Sequence, residues 1–344
     1  MALPNSGPLS LNQIHVEAGG SSGSTASIND ADIRGLIGKS SEATMSFNEW
    51  YGASSAVTIS QTISSSTNNY NMASSRGPTY SPGITNYTLT VNPGVIVGSN
   101  STTGDSLATG TSWTSGDTIT VNNYGTISGR GGDGGLGSFT PFTDQPPGTF
   151  NAPGWSDGAA GGTVNGAAIK LNYPTTIKNF GSVYGAGGGG GGAGGGAFSN
   201  APFGKTSGFT KGFWGGSGGG GAGTVAGGAV PAKTYPPNTP QFIPSANVDA
   251  SSAGSANAGG SGSATFVVDI LSFSPAPGNQ NYGGGAGGGL GSAGSDGAPR
   301  GGTPGGGSID FSKPVGAGGN TGYYINGNPF ASWSPTGTRG GRSV

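Results

Sequence analysis

Few side chains in this sequence could do covalent chemistry, and their placement argues against most kinds of it. The one histidine, His15, lies near the start of the chain, and there is no cysteine in the 344 residues. A Ser-His-Asp triad would have a single possible base in the wrong neighbourhood, and zinc lacks its usual ligands. Glycoside cleavage needs two carboxylates flanking the bond. Beyond residue 52 there is no Glu, and the Asp residues are scattered from Asp105 to Asp310. Gly204-Lys205-Thr206 has the ending of a phosphate-binding loop, but the glycine such a loop requires upstream is replaced by Ser199. Gly131-Gly-Asp-Gly-Gly135 is similar to one calcium-binding nonapeptide without the repeat that would complete it, which leaves Asp133 and Asp157 as cation candidates. We expect no enzyme activity, no cofactor and no metal. Polysaccharide cleavage is the enzymatic alternative.

In place of reactive groups the chain carries aromatic side chains set between glycines. There are 14 Phe, 11 Tyr and 5 Trp against only 8% charged residues, where an ordinary domain has ~25% charged. Chains that stay disordered show the reverse balance. The 77 Gly and 23 Pro therefore belong to an ordered chain of unusual construction. Phe139, Phe142 and Trp155, then Phe209, Phe213 and Trp214, then Tyr235, Phe242 and Tyr282 fall in segments that separate glycine tracts. Rigid aromatics supply large contact area at low entropic cost, so these are candidate binding residues. The other reading makes them apolar flanks of the glycine layers. A net charge of −1 offers nothing for counterion release, so nucleic acid is not an expected partner. No apolar stretch approaches the ~20 residues that cross a bilayer, and the first residues have no export-signal pattern.

Such loops need a scaffold, and the tracts at 185–197, 215–223 and 283–291 are the candidates for it. Looser tracts lie near 129–137, 158–166, 254–262 and 300–307. Each glycine is disfavoured in an α-helix or strand by ~0.5–1 kcal/mol relative to Ala. A polyproline II conformation has three residues per turn and no internal hydrogen bonds, so its N–H and C=O groups point outward. If the residues are Gly, neighbouring helices can approach and bond to one another on all sides. A central helix would then need nearly pure Gly, and peripheral ones Gly only on inward faces. A flexible linker is the alternative.

Residues 1–54 form a different unit. All three Glu residues (Glu17, Glu42, Glu49) lie here, and three short helices are readable from their start signals. Ser10 with Gln13 opens a helix over about 11–18, Ser27 with Asp30 one over about 28–37, and Ser46 with Glu49 a single turn carrying Phe47, Trp50 and Tyr51. Leu11, Ile14 and Ala18 share one face, and Ile33, Leu36 and Ile37 another. So thin a core points to a docking module. Residues 55–117 read as β, from the alternation Val57, Ile59, Ile63 and then Tyr87, Leu89, Val91. From 118 a unit repeats at an offset of 56: Thr120-Val-Asn-Asn-Tyr-Gly-Thr-Ile-Ser-Gly-Arg-Gly-Gly132 matches Thr176-Ile-Lys-Asn-Phe-Gly-Ser-Val-Tyr-Gly-Ala-Gly-Gly188. Residues 91–98 are a degenerate copy. The reading is a mainly β and irregular chain in three parts: a helical module at 1–54, a β-rich connection at 55–117, and a glycine-rich domain at 118–344.

The repeat followed by glycine tracts resembles the glycine-rich domains of phage tail-fibre adhesins, over about 118–344. The run Ser10-Leu-Asn-Gln-Ile-His-Val-Glu-Ala-Gly-Gly20, with Ile28-Asn-Asp-Ala-Asp-Ile-Arg34 and Met45-Ser-Phe-Asn-Glu-Trp-Tyr-Gly52, is similar to a module at the start of cyanophage tail and virion proteins. These resemblances imply a polyglycine II helix sandwich in the virion tail. They also imply attachment to other tail or baseplate proteins through residues 1–54, and loops that touch a host-surface glycan or outer-membrane protein. Self-association, a trimer foremost, is implied by the same likeness. A passive tail or baseplate part without receptor contact is the alternative. A free binder of a surface such as ice fits less well, because it needs no docking module.

Overall fold

The computed structural model describes residues 2–137, 158–193, 217–224, 226–229, 251–255, 258–262, 284–298 and 315–344, with the backbone of seven short strands in between. The N-terminal unit has helix α1 (Leu11–Glu17), helix α2 (Ala31–Gly35) and a 3-10 turn (Phe47–Trp50). Ser10 and Gln13 form the expected capping box. The second helix begins later than the sequence suggests. Asp30 accepts from the Ser27 N–H (2.8 Å), a bond that builds a turn ahead of the helix and uses up the proposed cap. Ser46 likewise makes no side-chain cap. The core is Leu3, Ile14, Ile33 and Trp50, with Leu11, Ala18, Leu36 and Ile37 packed around it. Trp50 Nε1 donates to the Ile33 carbonyl (3.0 Å), so the indole is buried with its polar atom satisfied.

From Val57 the chain winds into a stack of rungs in which each strand lies parallel to its equivalents above and below. Rung one is β1 (Val57–Ile63), β2 (Thr67–Asn68) and β3 (Tyr70–Asn71), followed by helix α3 (Met72–Ser75). Rung two is β4 (Thr85–Val91), β5 (Ile96–Gly98) and β6 (Leu107–Ala108). Rung three is β7 (Thr118–Asn123), β8 (Thr126–Ser128) and, after an excursion, β9 (Ala167–Lys170). Rung four opens with β10 (Thr175–Tyr184). A much longer excursion then contains β11 (Gly196–Ser199), β12 (Lys211–Trp214), β13 (Lys233–Thr234), β14 (Asn247–Val248), β15 (Phe266–Asp269), β16 (Ser274–Ala276) and β17 (Ser308–Ser312). It closes with β18 (Tyr323–Asn326), and β19 (Ala331–Gly340) and β20 (Arg342–Ser343) make rung five.

Register explains both the alternation and the repeat. Gln61, Leu89, Val121, Ile177 and Trp333 stand one above another on the first face, and Tyr70, Leu107, Ile169 and Ile325 on the third. The repeat pairs directly with itself: Thr176 lies against Thr120, Asn179 against Asn123, and Val183 against Ile127. The degenerate copy stacks in the same column, Val91 beside Asn123 and Val97 beside Ile127. The turn at 92–94 is thus a corner between faces of one rung. At that corner Asn123 is wholly buried; its Nδ2 donates to Asn179 Oδ1 (2.8 Å) and its Oδ1 accepts from the Gly125 N–H (3.1 Å). The boundary at 117/118 is crossed by the β4–β7 pairing, so strands from both sides of it share one sheet.

The excursions hold the glycine tracts, and their backbones bond between tracts. In 185–193 the N–H groups of Gly187 and Gly190 donate to Ala222 and Gly219, those of Gly188 and Gly191 to Ser292 and Ser295, and those of Gly189 and Gly192 to Gly162 and Ala159. Its carbonyls accept with the same three-residue repeat: Gly187 and Gly190 from Gly132 and Gly135, Gly188 and Gly191 from Gly288 and Gly285, Gly189 and Gly192 from Gly319 and Gly316. Six tracts therefore surround it. They also bond to one another around the ring, for example Gly161 to Ala317 and Ser295 to Ala286. Tract 217–223 is ringed in the same way by 129–137, 185–193, 284–288, 258–262, 251–255 and 226–229. Both central tracts are buried at every residue, whereas 315–322 is buried only at Gly316, Gly319 and Gly322.

Candidate functional site at the far end of the glycine lattice

Bond order along each pair of tracts gives its direction. Tracts 129–137 and 292–297 run with 185–193, whereas 158–162, 217–223, 284–288 and 315–319 run against it. Tract 251–255 follows 217–223, and 258–262 returns against it. Since 129–137 and 185–193 leave directly from β8 and β10, the outbound tracts all start at the β-stack end. The described tracts break off at 137, 193, 229, 262 and 298 and resume at 158, 217, 251, 284 and 315, all at the opposite end. Among the described residues the connection 289–291 lies on the stack side, beside Gly185 and Gly340. Five pairs of described tract ends therefore share one end of the lattice.

Strands within these stretches unite some of them. A five-stranded antiparallel sheet runs β16-β15-β12-β11-β17, drawing on three stretches, and β13 pairs with β14 in a fourth. Phe213 and Trp214 were expected in a loop. They lie instead on β12, the central strand, opposite Val267 and Phe266, because the aromatic run has strand propensity and finds partners on both sides. Phe139, Phe142, Trp155, Phe209, Tyr235, Phe242 and Tyr282 lie outside the described residues, as do Asp157 and the 204–206 motif.

The described carboxylates beyond residue 52 are occupied with holding backbone. Asp117 accepts from Tyr80 Oη (2.7 Å) and from the N–H groups of Gly83, Thr85 and Thr114. Asp133 accepts from Arg130 (3.0 Å) and the Gly228 N–H (2.7 Å), which pins one tract to the next. Asp296 does the same for Gly318 (2.8 Å). His15 Nε2 lies 2.8 Å from Ser24 Oγ on the surface of the N-terminal unit. Among the described residues there is no group of three or more acidic or histidine ligands suited to a metal, and no helix long and apolar enough to cross a membrane.

A lattice of backbone-bonded glycine tracts thus adjoins a β-stack with its own hydrophobic core. The chain belongs to the phage tail fibre adhesin Gp38 family, whose model matches residues 56–344. That membership places it in the tail fibre of a phage virion. A solved chain from the gp37–gp38 adhesin tip complex of the bacteriophage S16 long tail fibre is 17% identical, with a TM-score of 0.42, covering 99% of this chain and 100% of that one. No curated protein matches.

Proposed function

We propose that the chain recognises the host surface with the five segments at the far end of the lattice and docks to the rest of the tail through residues 1–54. The tracts, in this reading, are polyglycine II helices packed as a sandwich. The three-residue repeat of their hydrogen bonds supports it. The receptor is a host glycan or outer-membrane protein, bound without covalent chemistry. The single observation that carries this is that five pairs of described tract ends lie opposite the stack. Holding both ends of a segment lowers the ordering entropy lost on binding, so short segments gain useful affinity. Phe209, Phe213 and Trp214 are the residues we assign to contact. The N-terminal unit has a separate core and leaves Val16 and Phe47 about 40% exposed, a small apolar surface for a tail partner.

Replacing Phe209, Phe213 and Trp214 together by Ala should weaken adsorption of assembled virions while folding and assembly continue. Adsorption at the wild-type level would make this a passive tail part. Deleting residues 1–52 should leave a folded protein that no longer joins the virion, and normal incorporation would move attachment elsewhere. The mass of the isolated protein in solution tests the trimer that tail-fibre likeness suggests.

A further inference from the structure

The outer surface of the third face carries a groove that host recognition at the far end does not use. It encloses about 440 Å³, within the span of small-molecule sites. Small residues make its depth: Ala73, Ala108 and Gly110 line it where longer side chains would fill it. Gly110 has φ of 77° and sits so close to α3 that a Cβ there would fall 2.7 Å from Ala73 and 2.8 Å from Asn71 Oδ1. The polar lining comes from successive rungs, with Asn71 from the first, Asp105 from the second, and Lys170 and Asn172 from the third. Rungs are ~4.8 Å apart, so these groups span roughly 10 Å along the stack, the length of a disaccharide.

Asn71, Asp105 and Lys170 are held in place before any ligand arrives. Asp105 Oδ1 accepts from the Ala167 N–H (3.1 Å), and Lys170 Nζ lies 3.3 Å from Asp105 Oδ2. Asn71 Oδ1 accepts from the Ser74 N–H (3.2 Å), which fixes its amide. That leaves the Asn71 amide hydrogens and the Lys170 ammonium as donors and the outer lone pairs of Asp105 as acceptors. The Asn172 amide, which makes no side-chain hydrogen bond among the described residues, can do both. One positive and one negative group face each other, so the lining favours neither anion nor cation. No aromatic or large aliphatic residue lines it to suit an apolar ligand. Sugar hydroxyls both donate and accept, which is the mixture this groove offers. We propose that the groove formed by Asn71, Asp105, Lys170 and Asn172 binds a neutral saccharide, as a lateral subsite separate from the far end.

The experiment titrates the full-length protein with methyl α-glucopyranoside, methyl β-galactopyranoside and N-acetylglucosamine, followed by saturation-transfer NMR. At least one probe should bind with Kd of ~1 mM. Asp105→Asn, which keeps an acceptor for Ala167, should weaken it at least tenfold. Asn172→Ala, at an exposed side chain without bonds, should weaken it severalfold with melting unchanged, which guards against misreading a folding defect in the first variant. The Phe209, Phe213 and Trp214 triple-Ala variant should bind as wild type, so failure of far-end recognition and failure of the groove are separable. No saturable signal from any probe up to roughly 50 mM, equal affinity in wild type and both groove variants, or loss of binding in the triple variant would each overturn the proposal.

Discussion

The β-stack and the glycine lattice solve the same problem with opposite materials. Both must bury backbone, and buried N–H and C=O groups must be paired. The stack pairs them rung to rung and fills its interior with side chains; Leu89, Val121, Ile127, Ile169 and Ile177 are wholly buried. The lattice pairs them in every direction around its two central tracts and leaves no room for a side chain at the middle of either. At Gly189 an added Cβ would lie 1.9 Å from the Asp133 carbonyl oxygen, and at Gly190 2.1 Å from that of Gly285. Stability in the stack thus depends on how well apolar volume is filled. In the lattice it depends on the absence of volume. The rungs are stacked by side-chain pattern, whereas in the lattice side-chain links between tracts are sparse, such as those from Asp133 to the Gly228 N–H and from Asp296 to the Gly318 N–H.

The sharpest way to break this comparison is to put a side chain in the centre of the lattice. Gly189→Val and Gly190→Val should each remove more than ~4 kcal/mol, because the displaced atoms are backbone on every side. The exposed Ala286, one tract outward, should accept Val within ~0.5 kcal/mol. Thermal melts of these variants decide it, and a Gly190→Val protein that melts as wild type would mean the tracts are linkers. The matching change in the stack runs the other way. Leu89→Ala removes volume from a filled core and should cost about 3 kcal/mol by denaturant unfolding, with the lattice-end adsorption intact in whatever fraction stays folded.

A smaller effect probes the corner between the first and second faces of the stack. Asn123→Ala would strand Asn179 Oδ1 and the Gly125 N–H and should cost about 1–3 kcal/mol, read from the same melts. A result below the error of measurement would show that water replaces the bonds there.

The smallest effect lies outside both regions, at Glu17. Its Oε1 accepts from the Ser55 N–H (3.0 Å) and Ser54 Oγ (3.2 Å), joining α1 to the lead-in of β1. Burial raises this carboxyl, but hydrogen bonds that include those from Ser55 and Ser54 hold it below the ordinary value of 4.5. A depressed carboxyl contributes stability that is complete above the unfolded value and is lost as pH falls through the folded one. The melting temperature of the N-terminal unit should therefore drop on acidification below about pH 4.5. Glu17→Gln should flatten that drop. An equal drop in both proteins would place the acid sensitivity at another group.

The sequence alone determined which residues could be buried and where the chain repeats. Ile59, Tyr87, Leu89, Val91, Ile119 and Val121 announce themselves by alternation, because a strand sends successive side chains to opposite faces. The 56-residue offset is legible for the same reason: stacked rungs need like residues at like positions. Near-pure glycine at 187–192 already marked a central tract, since only there is every face crowded. What the tertiary structure decided is which repeats touch, and which ends meet. Nothing local in Asn92, Tyr124 or Phe180 distinguishes a corner of a parallel rung from a hairpin turn, because the partner strand lies one whole rung away. The direction of each tract is likewise invisible in a run of glycines, which has no side chain to register it. The meeting of Asn71, Asp105, Lys170 and Asn172 depends on stacking three rungs whose lengths differ. Only the folded chain sets that distance.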